Sequence, residues 1–271
     1  MTDSTQISDH EPPIDTSVAH SARLWNYLLG GKDNFAADRE AAEQALAFMP
    51  DLRLSARADR EFLGRAVRFM AGEAGIRQFL DIGTGLPTAD NTHEVAQSVA
   101  PESRIVYVDN DPMVLVHARA LLTSTPQGAT DYIDADIRDP DKILAAAART
   151  LDFDQPVGLM LLGILPFVVD DDEARGIVRR LLDATPSGSY LAISHPTLQV
   201  HREAVQASMD AWNASGSAPI CARDPEEIER FFDGLELLEP GVVSCSFWRS
   251  DGGEGSVDVE VSEYGGVGRK R

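Results

Sequence analysis

Apolar and polar positions follow two rhythms along this chain. From Ser17 to Gly75 the apolar residues recur at helical spacing. Leu24, Tyr27 and Leu28 share one face of a short helix that stops at Gly30 and Gly31. A second helix is predicted over 35–48, with Leu46 and Phe48 among its apolar residues and Pro50 behind it. A third, over 54–71, carries Phe62, Val67, Phe69 and Met70 and is closed by Gly72 and Gly75. From Arg77 onward, short apolar runs alternate with helical stretches. The runs predict strands at 78–82, 104–109, 130–133, 157–162, 189–194, 235–238 and 257–261. The helices between them are predicted near 91–99, 111–122, 140–149, 172–183, 199–213 and 225–232. Strands apolar on both faces, alternating with helices, predict an α/β fold: a mostly parallel seven-stranded sheet with helices on both faces. The last two strands have no helix between them and are expected to form an antiparallel hairpin at the sheet edge. Residues 1–16, polar and with two prolines, are expected to be a disordered tail, 17–75 a helical cap, and 76–271 the sheet domain.

Charge narrows the partners. Lys and Arg number 24 against 44 Asp and Glu, a net charge of −20. Such a surface repels phosphate backbones and anionic lipid, so neither nucleic acid nor a membrane is an expected partner. Two cysteines exclude a disulfide framework or a cysteine-rich zinc module. No apolar run approaches the ~18–20 residues of a membrane helix, and residues 1–15 do not read as a signal peptide. These features predict a soluble, cytoplasmic protein acting on a small molecule, with no metal site: the six histidines are scattered and no H-E-x-x-H or C-x-x-C occurs.

The chemistry concentrates at strand ends. Phe79-Leu80-Asp81-Ile82-Gly83-Thr84-Gly85-Leu86-Pro87 is a strand running into a glycine turn, where the backbone of Gly83, Thr84 and Gly85 can approach a ligand closely. A dinucleotide fold asks for a third glycine where Thr88 stands, and a pyrophosphate disfavours the nearby Asp81. That carboxylate suits a cationic ligand, and S-adenosylmethionine carries an ammonium and a sulfonium. The competing readings are a nicotinamide oxidoreductase, which also lacks a Tyr-x-x-x-Lys pair, and a turn with no ligand. The second strand ends in Asp109 and Asn110, and Asp109 can accept both ribose hydroxyls of an adenosine, though NAD would use it too. After the third strand, Asp136 is placed to accept from an adenine amino group and Ile137 to pack on the ring, or this is a solvated acidic turn. The fourth strand ends at Leu162 and Gly163 and should line the same cleft.

Together these segments resemble the class I S-adenosylmethionine-dependent methyltransferases, which have a Rossmann-like fold. More closely, W-N-Y-L-L-G-G-K-D-N at 25–34, G-T-G-L-P-T-A-D-N-T-H at 83–93 and Y-G-G-V-G-R-K at 264–270 resemble an actinomycete family of S-adenosyl methyltransferases, once a domain of unknown function. The resemblance covers residue 17 to the end of the chain. It implies S-adenosylmethionine as cofactor and methyl transfer to a small-molecule acceptor, with secondary metabolism as a setting. Tyr27 and Lys32 are then expected in a lid over the methionine end, Lys32 pairing with its carboxylate. Members usually carry a histidine after the fourth strand. Here Pro166 stands there, which leaves His195 as the strand-end histidine and the candidate catalytic residue. The absence of a clear base keeps a second reading open, a weakly active or inactive regulatory protein that binds the cofactor.

Overall fold

The computed structural model describes residues 14–121, 123–253 and 255–271. Of the expected tail, 1–13 lie outside the described residues; 14–16 are exposed and form no helix. Three helices come first: α1 (Ser21–Leu28), α2 (Ala36–Phe48) and α3 (Leu52–Gly72). Helix α1 ends where Gly30 takes a positive φ of 83°. Asp38 accepts the Phe35 N–H (2.8 Å) and starts α2. Leu24 and Leu28 pack with Ala42 and Ala56, so the apolar face read from the sequence joins the three helices. A buried ionic group ties these helices to the sheet. The Arg23 guanidinium lies between Asp38 (3.6 Å) and Asp111 (3.5 Å), the latter in the loop after the second strand.

The alternating region comprises β1 (Gln78–Ile82), α4 (Thr92–Val99), β2 (Arg104–Asp109), α5 (Pro112–Leu121), β3 (Ala129–Asp134), α6 (Pro140–Ala147), β4 (Gly158–Leu162), α7 (Asp171–Asp183), β5 (Tyr190–Pro196), α8 (Arg202–Ala214), α9 (Pro225–Glu229), β6 (Leu235–Leu237), β7 (Val243–Ser244) and β8 (Glu263–Lys270). Residue 122, where the second of the predicted interstrand helices has its expected end, lies outside the described residues. The sheet order is β3-β2-β1-β4-β5-β8-β6, with the two-residue β7 added to β8. Strands β3 to β5 are mutually parallel, and β8 runs antiparallel to both β5 and β6. The fold is therefore the expected mostly parallel α/β sheet, with two corrections. The sheet has eight strands, and the predicted strand at 257–261 does not form. Its alternation of valine and acid reflects two anchors, Val257 and Val261, buried on either side of an exposed Val259 in irregular chain. The strand forms instead in the glycine-rich run just beyond it. It lies between β5 and β6, so the pair is antiparallel but is not an edge hairpin.

Strands β1, β2, β4 and β5 bury both faces. Leu80, Ile82, Leu191 and Ile193 join the layer under α6, α7 and α9, while Phe79, Met160 and Ala192 join α3 and α4. Strand order reverses at β1, where the chain leaves toward β2 and β3 and returns to β4 on the other side. The carboxyl ends of β1 and β4 thus open the crevice that such sheets use for ligands.

Candidate active site

Two glycines shape the end of β1. Gly83 and Gly85 have φ of 79° and 66°, a region that favours glycine. A Cβ on Gly83 would lie 2.6 Å from Ile164, so the turn can sit against the end of β4 only without a side chain. The Gly85 N–H donates to Asp109 Oδ2 (2.8 Å) and the Asp111 N–H to Asp109 Oδ1 (2.9 Å), which fixes that carboxylate at the tip of β2. Each oxygen keeps a lone pair for a further donor. Burial pushes Asp109 above the usual carboxylate range in spite of these bonds. Asp81 accepts the Thr92 hydroxyl at Oδ2 (2.6 Å), from the first residue of α4. Burial raises it to about 6, with Thr92 and the Arg60 charge pulling the other way and Asp109 and Asp59 adding to the rise.

These groups open on a cavity of about 340 Å³. Asp81, Gly83, Thr84, Gly85, Asp109, Asn110, Asp136, Ile137, Leu162 and Gly163 all line it. From this carboxylate-framed end it runs under the first three helices and α8, where the wall is apolar: Trp25, Leu29, Met49, Leu52, Val205, Met209 and Trp212. Pro166 lines it too, its carbonyl accepting the Cys221 N–H (3.0 Å).

Three residues singled out in the sequence are not in that lining. Tyr27 donates its hydroxyl to Glu43 (2.5 Å) beneath the Arg53 guanidinium. Lys32 is exposed, on a turn held from inside by Asn26, whose Oδ1 accepts from the Asp33 N–H and the Asn34 amide, both at 3.0 Å. The dense polar turn at 26–34 is thus built around Asn26. His195 is fully buried on the far side of the sheet. Successive strand residues face opposite ways, and Ser194 takes the α3 side, so His195 faces α9. Its Nδ1 lies 2.8 Å from the Pro196 carbonyl, its Nε2 2.8 Å from Arg223, and its ring stacks on Phe231. Burial and the adjacent guanidinium push it down to about 3, so it is a neutral structural link.

Other lining residues carry no motif. Arg60 of α3 donates Nη2 to the carbonyls of Ala89 (2.8 Å) and Asp90 (3.1 Å) and brings a positive charge to the glycine-turn end of the cavity. Asp59 and Glu263 bring buried carboxyls from α3 and β8. Their signal in the sequence was weak: one polar position on an amphipathic helix, and one acid at the start of a strand that its glycines disguised. Among the described residues no group of three or more His, Cys, Asp or Glu is arranged to hold a metal, and no helix is long and apolar enough to cross a membrane.

Known proteins bear on this site. A DUF574-family protein from Streptomyces avermitilis is 49% identical, covering 96% of this chain and 100% of its own, with a TM-score of 0.91. A protein from Thermobifida fusca, described as a candidate methyltransferase, is 45% identical over 97% of this chain and 100% of its own, TM-score 0.87. Both sources are actinomycetes. A family 2 O-methyltransferase from Planctomyces limnophilus shares the fold at 15% identity, TM-score 0.51, over 86% of this chain and 61% of its own. No curated protein matches. The S-adenosyl methyltransferase family model matches residues 7–271. A carboxylate-framed glycine turn on a class I sheet and a match along nearly the whole chain give one conclusion: this chain belongs to the S-adenosyl methyltransferase family, enzymes whose cofactor is S-adenosylmethionine.

Proposed function

We propose that this enzyme methylates a small organic acceptor held in the apolar half of the cavity, beneath a cap made by α1, α2, α3 and α8. The observation that carries this reading is the continuity of one cavity from Asp81 and Asp109 to Trp25, Met209 and Trp212. S-adenosylmethionine, when bound, supplies an electrophilic methyl group on a sulfonium. The chain's own residues have simpler tasks. Asp109 accepts the ribose hydroxyls with the lone pairs its two backbone donors leave free. Asp136 and Ile137 receive the adenine, and Gly83, Thr84, Gly85, Asn110, Leu162 and Gly163 form the walls. The Asp81 carboxylate takes the ammonium, and Arg60, rather than Lys32, takes the carboxylate. The apolar wall holds the acceptor in line and excludes water. Alignment of this kind is worth about 7–11 kcal/mol. Among the described residues no histidine lines the cavity beyond His20, so catalysis by positioning fits the site better than catalysis by a His195 base. A setting in secondary metabolism belongs to this proposal. Calorimetry tests the cofactor half of this reading. S-adenosylhomocysteine should bind the wild-type protein and bind Asp109→Ala at least tenfold more weakly, the worth of about one charge-assisted hydrogen bond. Undiminished binding by the variant would remove Asp109 from the site.

A further inference from the structure

Three buried polar side chains gather on one face of the sheet, short of hydrogen-bond partners, and two of them line the cavity. Asp59 stands on α3, Ser194 on β5 and Glu263 at the start of β8, all on the α3 face of the sheet. Asp59 is 6% exposed and Glu263 5%, and both line the cavity. Among the described residues, no hydrogen bond reaches the carboxylate of either. Asp59 Oδ1 and Ser194 Oγ are enclosed without a partner, although the serine lies close enough to ease the aspartate's charge. An unpaired buried carboxylate costs several kcal/mol, and here two share one wall. Burial raises both, Glu263 further because of Asp59. The neighbouring cations make no hydrogen bond to the pair: Arg60 donates to the Ala89 and Asp90 carbonyls, though its charge eases Asp59, and Arg65 donates to those of Cys245 and Trp248.

Position separates Glu263 from the cofactor end, while Asp59 stands between the two, near enough for its charge to reach Asp81. Glu263 pairs across from Pro196, and β8 lies three strands from β1 in the order β1-β4-β5-β8. At about 4.8 Å per strand, that is ~14 Å from Asp81 along the sheet. The lining shared with the pair includes the apolar Met49, Leu52 and Leu63 as well as the hydroxyls of Ser55 and Ser262. A ligand that satisfies such a site brings its own positive charge on an apolar body.

We propose that Asp59 and Glu263, with the Ser194 hydroxyl between them and the sheet, form a cation subsite that recognises the ammonium group of an apolar amine acceptor. This rests on the methyl-transfer reading above and names its substrate class.

The test is calorimetry with the wild-type protein saturated with S-adenosylhomocysteine. The probes are phenethylamine, tryptamine and n-octylamine, each matched with the alcohol of the same skeleton. At least one amine should bind about tenfold or more tighter than its alcohol, the worth of one hydrogen bond to a charged group. Asp59→Asn and Glu263→Gln should erase most of that preference and leave S-adenosylhomocysteine affinity within about threefold. Equal binding of amines and alcohols by the wild type overturns the subsite and leaves the methyl-transfer reading standing, whether or not the variants fold. A loss of S-adenosylhomocysteine affinity of about tenfold or more in either folded variant overturns it too, because the acids then serve the cofactor's ammonium. If S-adenosylhomocysteine fails to bind the wild type, both readings fall together.

Discussion

At the scale of single residues, the cavity is marked by buried acids short of partners. Asp81 is buried beside Asp109 and Asp59, with Thr92 and Arg60 as its counterweights, and ionises only near pH 6. An ammonium prefers the ionised carboxylate, so S-adenosylhomocysteine affinity should rise up to tenfold per pH unit below about 6 and level off above it. Asp81→Asn should bind more weakly, with a flatter profile. A wild-type curve that is flat from pH 5 to 7 would remove Asp81 from ammonium binding. The two basic residues separate as clearly: Arg60→Ala should weaken binding by about tenfold or more and Lys32→Ala by less than about twofold, measured by titration of each variant. The acids at the ends of β1 and β2 were legible in the sequence because they follow apolar runs directly and flank a glycine turn. Arg60, Asp59 and Glu263 were not. Each belongs to the cavity only through packing that brings α3 and β8 together, and Lys32 stands out only through a motif that in fact surrounds Asn26.

At the scale of elements, the helices were easy to read and the end of the sheet was not. The helical and strand periods change at Arg77 in the structure as in the sequence, because α1 to α3 bury one face each while β1, β2, β4 and β5 bury two. The segment 257–261 has the alternation of a strand and no strand neighbour; 263–270 has a neighbour on each side and a composition that argues against a strand. Its glycines are required by what packs on them. A Cβ at Gly265 would come within 2.9 Å of Phe62, and one at Gly268 within 2.8 Å of Phe232. Intrinsic strand preference thus yields to close approach. Gly265→Ala should therefore destabilise the protein by about 1–3 kcal/mol through overpacking between α3 and β8, read as a lower denaturation midpoint. An unchanged midpoint would show that Phe62 gives way freely. His195 teaches the same lesson about alternation, since a shift of one residue decides whether a strand-end side chain meets the cavity or the far layer.

At the scale of the whole molecule, buried ionisable groups set opposing trends with pH. His195 is held near 3 against an ordinary 6.5. Between those values the unfolded chain binds a proton the native state refuses, so this group's contribution is full above pH 6.5 and is lost as pH falls toward 3. Asp81 is raised from 3.8 to about 6, so the native state holds a proton the unfolded chain has lost, and stability falls as pH climbs through that window, by about 3 kcal/mol in all. Asp59, Asp109 and Glu263, raised by burial, act in the same sense. A bound ammonium cancels the Asp81 share. Saturation with S-adenosylhomocysteine should therefore move the pH of highest melting temperature upward and raise that temperature more at pH 7.5 than at pH 5.5. An equal rise at both would count against the coupling. The order of the strands carries a consequence of another kind. Strand β8 follows every other strand along the chain, yet it is the one that joins β5 to β6. While a ribosome is still delivering residues before Glu263, β5 has an open flank and β6 has nothing to dock on. The nascent sheet is then an exposed template for stray pairing, which makes completion of these eight residues the event that seals the molecule against its own neighbours.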